Sequence, residues 1–426
     1  MKKKIITAVL IAGFSLSTLK AQQNNTLSLS VEQAQQYAIE HNYLMKNAAL
    51  DVKKAEATKW YAISTMLPQV NGTLDYNNYL GHELSLMGMP IAMKPTSNLT
   101  VQASITVSGA QIVSTTLGKL AVEMTKTNHQ KTEQNIKTQV RTLYFSALAM
   151  ENTVKLLSQS MENMLKLEKI TKNAVTVGVS EQTAADQISV QVSSLQNNLN
   201  SIQRTTEMLY NSMRLLLGIS VDAEIVLTDK IDKILSIENV NKLLNENFSQ
   251  ESNLDYRLVE QNVELTKKQV RINEWAYGPT LSLFYQYKEK IKKTDFDMNP
   301  PQVVGLSLNV PIFSSGNKYA KVSEAKCNYK SAINTMEMLS EQLKIQDRQL
   351  RYNLRNHIEN YETQRKNIEV SQRVFNNISN KYEQGYASGM DVTNSSMNLI
   401  SAQSNYVQAM LNLITAQIEL ETLLNK

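Results

Sequence analysis

A glycine turn between two long helical runs occurs twice in this chain, at a spacing of 385 − 178 = 207 residues. The later copy, Asn380 to Tyr406, reads NKYEQGYASGMDVTNSSMNLISAQSNY. A heptad-like run ends at Tyr382, Gly385 and Gly389 break it, and Ser388 opens a second run. Ser388-x-x-Asp391 has the spacing of a capping box, which marks a helix start. The earlier copy, Asn173 to Leu199, reads NAVTVGVSEQTAADQISVQVSSLQNNL. In that register Gly178 lies under Gly385, Ser189 under Ser396, Ser194 under Ser401, Gln196 under Gln403 and Asn198 under Asn405. Further on, Leu216 and Leu217 lie under Leu423 and Leu424. A gapless register held for about forty residues signals a repeat, and so long a period means a duplicated domain rather than a short-repeat solenoid. The expectation is an elongated body of two similar halves.

The first residues, MKKKIITAVLIAGFSLSTLKAQQ, place three lysines before an apolar run and end in Leu19-Lys20-Ala21. That is the pattern of a secretory signal peptide over residues 1–21. The apolar run, Ile5 to Leu16, is shorter than the roughly 20 residues a spanning helix needs. The single cysteine, Cys327, lies far from the signal, so no lipid anchor and no intrachain disulfide are expected. The formal net charge of +5 includes four signal lysines and no signal acid, which leaves 5 − 4 = +1 for the mature chain. That balance gives no reason to expect nucleic acid or an anionic surface as partner. Thirteen glycines and seven prolines in 426 residues are few for an all-β chain, so most of it should be helical.

Taken in order, the mature chain divides into a first repeat at 22–218, a connector at 219–250 and a second repeat at 251–426. Leu27 to Ile39 reads as a short amphipathic helix, and Asn42 to Met66 as a second one that stops before Pro68. The period then changes from helical to two: Val70, Gly72, Leu74 and Tyr76 alternate with polar residues, and so do Leu99, Val101, Ala103, Ile105 and Val107. These are two strands of a hairpin over 68–108, joined by a long loop at about Leu80 to Asn98. A helical run from about Ser114 to Val177 follows, roughly 95 Å long at 1.5 Å per residue. Its return helix runs from about Glu181 to Leu217. The connector is expected to be irregular. The second repeat gives the same order: a helix from Asn253 to Trp275, a strand hairpin over 279–313 opened by Pro279, a long helix from about Gly316 to Gln384, and a return helix from Ser388 to Leu424. The strands of this hairpin alternate Leu281, Leu283, Tyr285 and Tyr287, and then Val304, Leu306, Leu308, Val310 and Ile312, with Leu283, Leu306 and Leu308 on the outward face. The return and pre-strand helices together match each long helix in length. Each half therefore reads as one continuous and one broken column.

The final helix carries two apolar seams. Met397, Ile400, Val407, Leu411, Ile414 and Ile418 form one, and Leu399, Ala402, Tyr406, Met410, Leu413 and Leu420 the other. Two seams require neighbours on both sides, as in a wall of helices. The strands, of about nine to eleven residues with one apolar and one polar face, have the length and alternation of outer-membrane barrel strands. Four strands cannot close a barrel, and an open edge in lipid is prohibitive. Two copies would supply eight strands and three would supply twelve. No catalytic constellation is visible, and His41, His82, His129 and His357 are scattered without metal-ligand spacing. The chain is expected to be no enzyme, with no cofactor and no metal.

The order helix, strand, strand, long helix, turn, helix, given twice behind a signal peptide, resembles the TolC-like outer membrane efflux proteins. The residues that carry the resemblance are Asn42 and Asn253 at helix starts, Pro68 and Pro279 before strands, and Val310-Pro311-Ile312-Phe313 at a strand end. The Tyr382-x-x-Gly385…Asp391 turn and the Leu216 to Gly218 stop complete the set. The resemblance implies a mainly α fold: duplicated long-helix hairpins forming a periplasmic α-helical barrel, and four transmembrane strands per chain in a twelve-stranded barrel closed by a homotrimer. It implies the outer membrane as location, and as partners outer-membrane lipid, a periplasmic adaptor (membrane fusion) protein and an inner-membrane transporter. The function implied is the passive exit duct of a tripartite efflux or type I secretion system. It also implies a tunnel tip ringed by acidic residues. Asp391 matches the first acidic position, while Asn394 and Ala184 depart from the pattern, and Ala387 replaces a basic residue. Tyr382, Asn394, Asp391 and Thr183 are thus the aperture candidates. Gly178, Val179, Ser180, Gly385, Tyr386, Ala387 and Ser388 match the turns that meet the adaptor. The rival reading is an elongated periplasmic coiled-coil structural protein without a channel.

Overall fold

The computed structural model describes residues 26–86, 89–230, 237–292 and 300–426. The expected signal peptide lies outside the described residues, as does most of the charged loop before Pro301. The fold is mainly helical, at 71% of the chain.

The first residues depart from expectation. Leu27–Leu29 form not helix but a short strand, β1, and the helix α1 covers Val31–His41. Ser30 caps it, with Ser30 and Gln33 completing a capping box that the sequence reading had passed over. Helix α2 spans Tyr43–Ser64. Strand β2 (Gln69–Asn77) leads into a loop that holds a small hairpin, β3 (Glu83–Leu86) and β4 (Met89–Ala92), and then β5 (Thr96–Ser108). The first long helix, α3, covers Gly109–Thr176, 68 residues or roughly 100 Å. It starts earlier than the periodicity suggested because Ser108 caps it directly at the end of β5. Its return helix, α4, is Gln182–Leu217.

The connector is less irregular than expected. It contains β6 (Ile225–Leu227) and α5 (Ile237–Leu244). Strand β6 pairs in parallel with β1 across nearly 200 residues of sequence. Tyr144, fully buried on α3, fastens this pair: its hydroxyl donates to the Leu29 carbonyl at 3.0 Å and accepts from the Asp229 amide at 3.2 Å. Burial pushes the Tyr144 phenol up to about 12, so it remains a hydrogen-bond donor at any ordinary pH.

The second half follows with α6 (Leu254–Trp275), β7 (Thr280–Lys292), β8 (Gln302–Asn309), the long α7 (Asn317–Glu383) and α8 (Gly389–Leu423). The strands are 9, 13, 13 and 8 residues long, a wider range than expected. Strand β8 ends at Asn309; Val310 to Phe313 lie beyond it, where Pro311 has no amide to donate to a ladder.

The two broken columns are held by the same device. Asn42 caps α2 by accepting from the Leu44 amide at 2.7 Å, while its Nδ2 donates to the Leu216 carbonyl at 2.7 Å. In the second half Asn253 accepts from the Asp255 and Tyr256 amides and donates to the Leu423 carbonyl at 3.5 Å. Each asparagine satisfies an orphan donor of one helix and an orphan acceptor of another. Gly218 closes α4 at φ +68°, and a Cβ there would lie 2.6 Å from the His41 carbonyl oxygen. Only glycine lets the two helix ends approach so closely.

Beside these joints, α2 packs on α3, α3 on α6 and α6 on α7. The sheet repeats that order, as β2-β5-β7-β8. On the other side of the joints α3 packs on both α4 and α8, and α8 on α7. Both seams of α8 are therefore used: Leu399, Val407, Met410, Leu413, Ile414, Ile418 and Leu420 are buried. Met397, expected in a seam, is 44% exposed. One core cluster surrounds the joints, with Val140, Met213, Leu354 and Leu413, and another lies toward the turns, with Leu157, Met164, Ile188 and Phe375. The helices at the two edges of the wall keep apolar stripes open. Met338, Ile345 and Tyr352 recur every seven residues on α7 and are 56–65% exposed; Tyr43 and Leu50 do the same on α2.

Candidate channel wall and hairpin tips

The four long strands form one antiparallel sheet rather than two separate hairpins. Its register aligns one apolar face. Val107, Leu281 and Leu308 share a row; so do Ile105, Leu283 and Leu306, and Ala103, Tyr285 and Val304. Leu74 lies beside Leu99 in the first pair. These side chains are open: Val304, Leu306 and Leu308 are 72%, 70% and 62% exposed. The other face is polar, with Thr106, Ser282 and Ser307 in one row and Gln102 beside Gln286 in another. Thr106 and Ser282 share a hydrogen bond of 3.1 Å across it. Along β7 from Thr280 to Lys290 the polar-face residues are less exposed than the apolar ones, as on the inner side of a curved sheet. Phe284 and Val303 are exceptions in character, and the Phe284 ring lies over Gly305, where a Cβ would come within 2.3 Å of it. An aromatic ring thus shields a strand glycine. Strands β2 and β8 each pair on one side only among the described residues. The same two edges of the wall carry the open heptad stripes of α2 and α7.

At the far end the two glycine turns lie together. Gly178 and Gly385 adopt φ +77° and +80°, the left-handed region that a helix C-terminus commonly uses. Val179 donates to the Ala174 carbonyl and Tyr386 to the Lys381 carbonyl, so both turns close by the same pair of bonds. Val177, Val179 and Tyr386 are 73%, 77% and 81% exposed. Ser180 and Ala387 are half-buried and Ser388 is exposed.

The helix starts after the turns differ. Ser388 caps α8 by accepting from the Asp391 amide, and the Asp391 carboxylate accepts in return from the Ser388 amide at 3.0 Å and hydroxyl at 2.7 Å. These bonds, the hydroxyl first and then the amide, hold the Asp391 carboxyl below its ordinary value. Glu181 stands at the cap of α4 without a side-chain cap bond to the helix backbone, and its carboxylate accepts only from the Thr183 hydroxyl, at 3.1 Å, among the described residues. The two starts abut: Gly389 is buried, and a Cβ there would touch the Ala184 methyl at 3.4 Å.

Of the aperture candidates, Thr183 and Tyr382 line a cleft of about 570 Å³ between the tips, together with Val179, Ser180, Gly385 and Ser388. Asp391 and Asn394 are exposed and stand outside that lining. Tyr382 is half-buried, its hydroxyl bonded to Thr171 of α3, which links the second hairpin to the first. Glu168 of α3 accepts from Lys172 and, at 2.6 Å, from Ser189 of α4; these bonds lower its carboxyl. Neither link was foreseen. Ser189 stood in the repeat register, but nothing in a single sequence names its partner. Among the described residues no cluster of metal-ligating side chains occurs.

The two-faced sheet continues strand by strand into the wall of long helices. Residues 248–426 match the sequence model of the outer membrane efflux protein family. No curated protein matches the sequence. Among solved structures, the outer membrane protein VceC of Vibrio cholerae is 15% identical, with a TM-score of 0.76 over 92% of this chain and 95% of that one. The CmeC outer membrane channel of Campylobacter jejuni is 14% identical, with a TM-score of 0.75 over 92% and 85%. The MtrE outer membrane channel of Neisseria gonorrhoeae, in its open state, is 15% identical, with a TM-score of 0.75 over 92% and 88%. The fold of nearly the whole chain is theirs, and the resemblance to TolC-like efflux proteins holds in fold throughout and in sequence pattern over the second half.

Proposed function

We propose that this chain is the outer-membrane exit duct of a tripartite efflux or type I secretion system, passing substrates outward from an adaptor and an inner-membrane pump. The observation that carries this reading is the sheet: one face apolar and open to solvent, the other polar, and both edges unpaired among the described residues. A soluble protein rarely leaves so large an apolar face uncovered. In lipid that face is at home, while unpaired edges are not tolerated. Further copies of the chain satisfy both, each placing its β2 and α2 beside the β8 and α7 of the next. Three copies give a twelve-stranded barrel of the kind the resemblance implies. The polar face then lines a water-filled passage. The coiled-coil rival offers no use for that face, and the family match in the second half does not favour it.

The tips take the adaptor in this reading, through Val179, Ser180, Tyr386, Ala387 and the glycines they flank. Tyr382, Thr183, Asn394 and Asp391 border the aperture, with one carboxylate per copy at Asp391. Its double bond to Ser388 makes it a helix cap as well. In this reading the signal peptide directs the chain across the inner membrane.

Paired arginine variants test the duct. Arginine at Leu306, on the lipid face, should cost about 2–4 kcal/mol of insertion, and arginine at Ser307, on the wet face, far less. Insertion into vesicles with mass measurement in detergent reads both outcomes. A folded monomer, or equal losses at the two positions, refutes the barrel.

A further inference from the structure

The polar face of the sheet is uncharged up to its loop end, where the first charged row carries a lysine and no acid. From the helix end upward it presents Ser108, Thr280 and Asn309, then Thr106, Ser282 and Ser307, then Ser104, Phe284 and Gly305, then Gln102, Gln286 and Val303, none of them charged. Charge begins only past the start of β8, at the loop end. Lys288 pairs with Thr100, which pairs with Thr73; the Lys288 amide bonds the Pro301 carbonyl at 2.7 Å. That row holds a lysine and no acid. In the next row Lys290 stands beside Asn98, and Asn98 beside Asp75, one charge of each sign. Neighbouring strands lie about 4.8 Å apart, so the acid and lysine of that row are within reach of mutual compensation. Lys288 and Lys290 are half-buried on the concave side, whereas Glu289 between them is exposed on the apolar side, where it accepts from the Tyr287 hydroxyl at 2.7 Å.

We infer that Lys288 forms a cationic ring near the outer mouth of the duct and is a specificity-determining residue that engages anionic groups, phosphates or carboxylates, on what passes. The inference rests on the closed barrel proposed above, in which each copy adds one Lys288 to the ring. The ring stands at the opposite end from Asp391, and with opposite sign. Cargo passing along the sheet therefore meets an uncharged face, then the Lys288 row, then the mixed row of Lys290 and Asp75. In the narrow, water-filled passage such a ring acts over about a Debye length, roughly 8 Å at physiological salt.

The test records single channels of the reconstituted protein in planar bilayers, with inorganic tripolyphosphate added at the loop side. Tripolyphosphate should block the wild-type channel. Block should be lost in Lys288→Gln, retained in Lys288→Arg, and retained in Glu289→Gln, which changes a charge one residue away on the other face. Reversal potentials under a salt gradient should shift toward cations in Lys288→Gln alone. Block that survives in Lys288→Gln, or is lost equally in Glu289→Gln, overturns the lysine assignment and leaves the duct standing. Wild-type protein that inserts no conductance at all overturns the duct itself.

Discussion

Helices α3 and α7 are the same element of the two halves, 68 and 67 residues long, yet they live in different surroundings. Along α3 buried residues recur from Gly118 to Thr171; along α7 they are few, and tyrosines, methionine and isoleucine stand open. The difference lies in neighbours. Helix α3 has α2, α4, α6 and α8 around it, and α7 has only α6 and α8 over most of its length. Duplication supplied two equal rods, and their places in the wall decided that one would be a core element and the other an edge. In the assembly proposed above, an edge rod with a heptad stripe is half of an interface.

The strongest way to break this comparison is to cut the two rods at matched positions. Leu157 of α3 is fully buried, and Gln364, 207 residues on, is a half-buried residue bonded to Asn360 of its own helix. Leu157→Ala should cost about 2–5 kcal/mol of stability, and Gln364→Ala within about 0.5 kcal/mol of nothing. Denaturant midpoints in detergent compare them directly, and equal shifts would mean that the two rods are equally buried in the assembly.

A smaller effect should appear at the open stripe. Ile345→Asp leaves the protomer's own contacts intact, so its circular dichroism should not change. If a neighbouring copy covers the stripe, the variant forfeits about 1.5–3 kcal/mol per copy of apolar burial and adds a buried charge. Sedimentation in detergent should then show dissociation toward monomers. An oligomer of unaltered strength would place the stripe against water.

The smallest effect separates the tips. Asp391 has a folded pKa below its unfolded one, so its contribution to the cap is present above the unfolded value and is lost as pH falls through the lowered folded value. The start of α4 has no such cap. Amide protection factors, taken relative to the intrinsic exchange rate at each pH, should therefore fall in the first turn of α8 below about pH 4, near the ordinary aspartate value, while those of α4 stay level. A parallel fall at the two helix starts would assign the change to the whole tip and not to the cap.

Much of this architecture could be read from the residues, because each feature was local or periodic. The capping residues Asn42, Asn253 and Ser388, the glycines of the turns and the alternation in the strands announce themselves within a few positions. The pairing of β1 with β6 did not, since three-residue strands carry no period and are fixed by Tyr144 from another helix. The hairpin β3–β4 was hidden in a loop whose Met, Gly and Pro content reads as irregular. The candidate tip residues were found through the repeat, but Tyr382 with Thr171 and Glu168 with Ser189 are meetings between helices, which no spacing encodes. That β5 joins β7 was likewise invisible, for it depends on how the two halves stand side by side.

The asparagine joints have a consequence for how such a molecule can change size. Each continuous rod runs past the joint, while the column beside it ends and restarts there. Two whole turns of helix, seven residues, added to both members of one hairpin beyond the joint keep the facing residues in step. The same addition to the other hairpin keeps the tips level. Nothing on the strand side of the joint has to move. Span can therefore be edited in paired heptads on the tip side alone, and a relative reaching farther toward its pump should carry its extra residues there, in four matched blocks.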